Sequence, residues 1–188
     1  MRMTSVLGVL VLVACGGSAP AESTTPAATA NAATGESWRT IAPANEGFSV
    51  EVPYDAPMQE SEVAPGVMQH QYIAAPADGS SAFIVGVVHR AAAASPEEAQ
   101  QLLRAAYDAM AHADGAQAEE PTPVTLNGET GIGFAATMMS EGQRMVFVTQ
   151  MFVHGDKFIQ FLAILDATVA ENGLPESVTR FMRSAQLN

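Results

Sequence analysis

The sequence predicts an α/β (α+β) domain, an antiparallel sheet with helices packed on its faces, and three observations predict it. Short segments alternate apolar and polar residues with a period of two, as in Phe48-Ser49-Val50-Glu51-Val52, the mark of a half-buried strand. One stretch after Ser95 switches to the spacing of an amphipathic helix. Turn pairs such as Asn127-Gly128 separate the strand-like runs of the second half, which is how antiparallel neighbours are joined.

The elements follow in order. Trp38 to Ile41 and Phe48 to Val52 read as two short strands, divided by the turn-rich Pro43-Ala44-Asn45-Glu46-Gly47. Pro53 stops the second, because proline cannot donate to a ladder. Pro57 and Pro65 punctuate what reads as a loop. Val67 to Ala74 and Ala82 to Arg90 then form a hairpin through Pro76-Ala77-Asp78-Gly79, with Phe83, Val85, Val87 and His89 on one face.

Ser95-Pro96-Glu97-Glu98 starts a helix. Ser95 caps it, Pro96 suits its first turn, and Glu98 completes a capping box. Ala99, Leu102, Leu103, Ala106 and Met110 form the stripe that packs on the sheet, and Gly115 is placed to close the helix near Asp114. Gly131 to Met139, Gln143 to Val153 and Lys157 to Leu165 read as successive antiparallel strands, turned at Glu141-Gly142 and Gly155-Asp156. The last is apolar on both sides, as a central strand covered from both faces would be. A short helix over Pro175 to Met182 brings Val178, Phe181 and Met182 to the core. No period of twenty to fifty residues recurs, so a repeat architecture is not expected.

Three parts are expected along the chain: residues 1–14, 15–36 and 37–188. Arg2 precedes the apolar run Val6 to Val13, which as a helix measures about 12 Å. A bilayer core measures ~30 Å, so this run is a signal segment and not a permanent span. Leu12-Val13-Ala14-Cys15 resembles the lipobox of bacterial lipoproteins, and Cys15 is the expected lipid-attachment residue. It is the only cysteine of the 188 residues, so no disulfide forms within one chain. The resemblance implies two or three acyl chains, and one alone holds a protein only marginally. Gly16, standing where aspartate would retain the protein in the inner membrane under the enteric sorting rule, resembles outer-membrane delivery.

Gly16 to Glu36 hold no aromatic, no Val, Leu, Ile or Met, and no basic residue. Such a stretch buries too little apolar surface to order itself and reads as a tether with a reach of about 25 Å. With Arg2 lost, 7 basic residues face 20 acidic ones, a charge near −13. That excludes nucleic acid as a partner, which needs a positive footprint, and disfavours close docking on anionic lipid.

Four histidines invite a metal reading. His70 and His89 can sit on neighbouring strands, one residue of register deciding whether they share a face, but no His-x-His, His-Glu-x-x-His or cysteine pair supports them. Serine catalysis finds no Gly-x-Ser-x-Gly, and His154 and Asp156 flank a turn, pointing outward. Met138, Met139, Met145 and Met151 offer thioethers for soft Cu(I). Met145 and Met151, however, share a strand face with Phe147 and Val153, as core residues do. Glu97 and Glu98 are helix-start charges, and Glu119-Glu120 before Pro121 reads as a solvated loop. Gly128, Gly131 and Gly133 enter a strand, where they mark turns or close backbone approach instead of a phosphate loop. The sequence therefore offers no catalytic residue, no metal set and no cofactor.

Gly47-Phe48-Ser49-Val50-Glu51-Val52-Pro53 resembles the opening segment of small bacterial lipoproteins related to PsbP and DcrB. Leu126-Asn127-Gly128 with Gly131 is similar to a later hairpin of that group, Arg144 and Phe147 to its next strand, and Phe181 with Ser184 to its closing segment. Ala185 departs from the aromatic that often follows the serine, which implies different packing near the C-terminus. The resemblance implies an α-β-α sandwich and an assembly or binding role without turnover. The expectation is a lipid-anchored envelope protein, attached to the membrane through Cys15, facing the periplasm at the outer membrane or standing on the cell surface. It would act on an envelope protein or ligand, through surfaces around Val67 to Ala74 and Gly142 to Val153. The alternative is a small hydrolase or a metal-binding periplasmic protein.

Overall fold

A computed structural model describes residues 37–188 apart from Glu141 and Asn172. The signal segment, Cys15 and the tether expected over residues 1–36 lie outside the described residues.

Strands β1 (Arg39–Ile41) and β2 (Phe48–Val52) lead into β3 (Met58–Ala64), β4 (Val67–Ala74) and β5 (Ser81–His89). Helix α1 (Pro96–Ala111) follows, then β6 (Gln117–Ala118), β7 (Thr122–Leu126), β8 (Glu129–Ser140), β9 (Gln143–His154) and β10 (Lys157–Asp166). Helices α2 (Ala167–Ala170) and α3 (Glu176–Ser184) and strand β11 (Gln186–Leu187) complete the chain. Eight strands form one antiparallel sheet in the order β3-β4-β5-β10-β9-β8-β6, with β7 also paired to β8. Strands β1, β2 and β11 form a separate three-stranded sheet.

Alternation along the strands divides the interior in two. Ile84, Phe147, Met151, Leu162 and Ile164 face α1, which lays Leu103, Ala106, Tyr107 and Met110 on them. Phe83, Val85, Phe152, Phe161 and Leu165 face the other way, against Phe48, Val50 and Val52 of β2 and Val178 and Phe181 of α3. Aromatic rings meet edge-on here, Phe83 to Phe181 at 5.3 Å and Phe48 to Phe161 at 6.0 Å, the geometry the ring quadrupole favours. The main sheet thus has a helix on one side, and a helix with a small sheet on the other.

Strand β10 is buried on both faces between β5 and β9, as its two-sided apolar pattern requires. The capping box at Ser95 forms: its hydroxyl accepts from the Glu98 N–H and its own N–H donates to the Glu98 carboxylate. The helix ends at Ala111, short of the expected Asp114, and Gly115 takes its left-handed φ of 74° in the turn beyond. Asn127 and Gly128 both adopt positive φ, the type I′ turn expected of them.

Pro57 to Pro65, read as a loop, instead holds β3. Its first five residues are exposed, so it is an edge strand with no apolar alternation to betray it. Gly131 lies under the Met151 carbonyl: a Cβ there would fall 2.1 Å from that oxygen and 2.5 Å from the Phe152 ring. This is the close backbone approach its sequence position suggests.

Candidate functional site

At one end of the main sheet, register aligns His89 of β5, Lys157 of β10 and His154 of β9 in a single row. His70 of β4 stands opposite Val87, on the same face and one step inward. The β1–β2 loop folds over this end. Asn45 and Gly47 both take left-handed φ, at 67° and 76°, and between them Glu46 turns inward, only 5% exposed.

Glu46 is the hub. One carboxylate oxygen lies 2.6 Å from His70 Nδ1 and the other 3.1 Å from His89 Nε2. The His70 and His89 rings sit 4.8 Å apart, tilted by 58°. The far nitrogen of His70, Nε2, meets the Glu60 carboxylate of β3 at 3.2 Å. The Tyr72 phenol of β4 also neighbours Glu46. Burial pushes that phenol up to about 12, helped by the adjacent negative charge and by the hydrogen bond. A buried carboxylate needs polar partners to offset lost hydration, and the two imidazoles flank Glu46 to provide them.

His154 continues the cluster, with Nδ1 3.3 Å from Glu129 and Nε2 3.1 Å from the Asn188 carbonyl. It is half-buried under the loop, not turned outward as its turn-flanking position suggests. Asp156 does point away, paired with Lys157 at 2.9 Å; that hydrogen bond and the lysine charge hold its carboxyl below the usual carboxylate range. A depression of about 290 Å³ lies beside this row, lined by Pro43, Asn45, Gly47, His154, Lys157 and Asn188. A larger open groove of about 570 Å³ runs between α3 and the small sheet. Within it Arg180 pairs with Glu51 at 2.7 Å while its guanidinium lies 4.3 Å from the Trp38 ring centre.

Sequence reasoning therefore named His70 and His89 but missed Glu46, Glu60 and Tyr72. The one local signal is an acidic residue set between Asn and Gly, both tolerant of positive φ. Among the described residues, no histidine has a serine hydroxyl as hydrogen-bond partner; His112, the fourth, bonds the Asp108 carbonyl at the end of α1. Met145 and Met151 lie in the core beneath α1, as their strand face implies. The surface expected over Gly142 to Val153 is largely closed, because β9 lies between β10 and β8 with α1 across one face.

No protein-family model and no curated protein matches the chain. Solved structures do. Cyanobacterial PsbP (CyanoP) from Synechocystis sp. PCC 6803 matches with a TM-score of 0.56 at 10% identity, over 86% of this chain and 98% of that one. The fold is PsbP-like. LpqN, involved in cell envelope biogenesis of Mycobacterium tuberculosis, matches this PsbP-like fold with a TM-score of 0.53 at 16% identity, over 81% of this chain and 91% of that one. A structure from Bacteroides thetaiotaomicron VPI-5482 has a TM-score of 0.43 at 12% identity, and the chain spans only 45% of its length. At such identities the likeness concerns the fold alone.

Within the PsbP-like fold the motif segments have structural tasks. Gly47 to Pro53 is β2 with its flanks, and Leu126 to Gly128 is the β7–β8 turn. Ser184 accepts from the Glu51 N–H and donates to the Phe181 carbonyl, tying α3 to β2. Ala185 is 2% exposed within the core on that side.

Proposed function

We propose that the chain is a lipid-anchored protein of the bacterial cell envelope whose PsbP-like domain works by binding, without turnover. The observation that carries this reading is Leu12-Val13-Ala14-Cys15, a sole cysteine directly after a short apolar run and before a polar tether. LpqN, of similar fold, takes part in envelope biogenesis, which supports the same setting. Among the described residues the histidines are partnered by carboxylates and by two backbone carbonyls, and none by a serine hydroxyl, which favours binding over hydrolysis. The expected address is the outer membrane, on the strength of Gly16, facing the periplasm or standing on the cell surface.

The test is expression of the full chain and of Cys15→Ser in a bacterial host, with membrane fractionation and mass analysis of the amino terminus. The full chain should sediment with outer membranes and carry acyl mass on Cys15. The variant should leave the membrane or retain its signal segment. A variant that still matures and stays membrane-bound defeats the anchor, and Gly16→Asp with unchanged membrane address defeats the sorting claim.

A further inference from the structure

The Glu46 cluster has a composition and layout beyond what a fold-stabilising ion pair needs. It gathers donor atoms from a loop and two strands, Glu46, His70 and His89, all within 4.8 Å of one another. We propose that these three side chains form a zinc site, with a Glu46 oxygen, His70 Nδ1 and His89 Nε2 as ligands to one Zn²⁺.

Four observations support it. The donors are two imidazoles and one carboxylate, a borderline set that suits Zn²⁺ and neither the thiolate-seeking Cu(I) nor the all-oxygen preference of Ca²⁺ and Mg²⁺. Glu46 is buried with both oxygens already aimed at the two imidazoles, so the site is organised before any ion arrives. Glu60 holds the far nitrogen of His70 at 3.2 Å. That carboxylate behind a ligating imidazole is the usual outer support of a metal-bound histidine, fixing its tautomer and its ring. Tyr72 gives Glu46 the equivalent support. Finally, the His70 and His89 side chains keep 20% and 30% of their surface exposed, which leaves solvent a path to a fourth position.

Zinc bonds of about 2.0–2.1 Å set ligand atoms about 3.3 Å apart in a tetrahedron, so the Glu46–His70 contact would open by less than about 1 Å. Glu46 sits on the β1–β2 loop, and small changes of its side-chain torsions can absorb that displacement. Zinc binding is independent of anchoring, so Cys15→Ser protein should take up the same ion. Failure of the anchor and failure of the site are therefore separate results.

The experiment uses the untagged full chain in detergent, stripped with EDTA and titrated calorimetrically with ZnCl₂, alongside metal analysis of the dialysed protein. One Zn²⁺ per chain is expected at micromolar free zinc, with none displaced by Mg²⁺ or Ca²⁺. His70→Gln, His89→Gln and Glu46→Gln should each weaken binding by more than Glu60→Gln, whose loss is about tenfold. His112→Gln and His154→Gln should bind as the parent does. Because a variant can misfold, imidazole NMR of the parent chain gives the independent readout. One equivalent of zinc should shift His70 and His89 and leave His112 and His154 in place. A folded chain that takes no zinc, or whose binding survives loss of His70 or His89, overturns the proposal. So does a response confined to the other two histidines.

Discussion

The two faces of the main sheet are buried by different means. One is covered by α1, a single run of sixteen residues with its own cap and its own apolar stripe. The other is covered by pieces distant in sequence, β2 near the start of the domain and α3 with β11 at its end. The first cover can begin to form locally; the second exists only when the ends of the domain meet. The Glu46 loop belongs to the second cover, since it leads directly into β2. That places the candidate metal site on the side assembled by long-range contacts, where loss of packing also loosens the site.

Substitutions can break this contrast. Phe181→Ala removes a fully buried ring of α3 that meets Phe83 and Phe161. It should cost about 3–5 kcal/mol in urea unfolding and weaken zinc binding in parallel, whereas Leu103→Ala under α1 should cost about 2–5 kcal/mol and leave zinc affinity unchanged. Equal effects of both on zinc affinity would show that the two faces do not act separately. Gly131→Ala should cost about 1–3 kcal/mol by the same measurement, because its methyl group meets the Met151 carbonyl. Ser95→Ala should cost about 1 kcal/mol on the α1 side alone. The Glu98 carboxyl is held below its ordinary value of 4.5, chiefly by the hydrogen bond from the Ser95 N–H. Its contribution is thus complete above that ordinary value and is lost as pH falls through the lower, folded one. Glu98→Gln should flatten this acid limb, and an unchanged limb would show the box to be without effect on stability.

The same contrast explains what the sequence disclosed. Helix α1 and the Asn127-Gly128 turn were legible because their determinants are neighbours in the chain, and β10 because burial on both sides leaves an uninterrupted apolar run. Strand β3 was hidden because Met58-Gln59-Glu60-Ser61-Glu62 meets solvent on both faces and is a strand only by virtue of β4 beside it. Glu46 was hidden for a related reason. Its histidine partners are 24 and 43 residues away, and only the register of β4 against β5 puts both imidazoles beneath it. No spacing rule links a loop carboxylate to two strands.

Strand β3 has one further effect. Among the described residues its outer margin has no pairing partner, and a strand so placed can accept an identical strand from another molecule. Here the newcomer would have to bring Glu60 and Glu62 against the same carboxylates at the ~4.8 Å separation of paired strands. Like charges at that distance repel, so the edge carries its own barrier to pairing with a second copy.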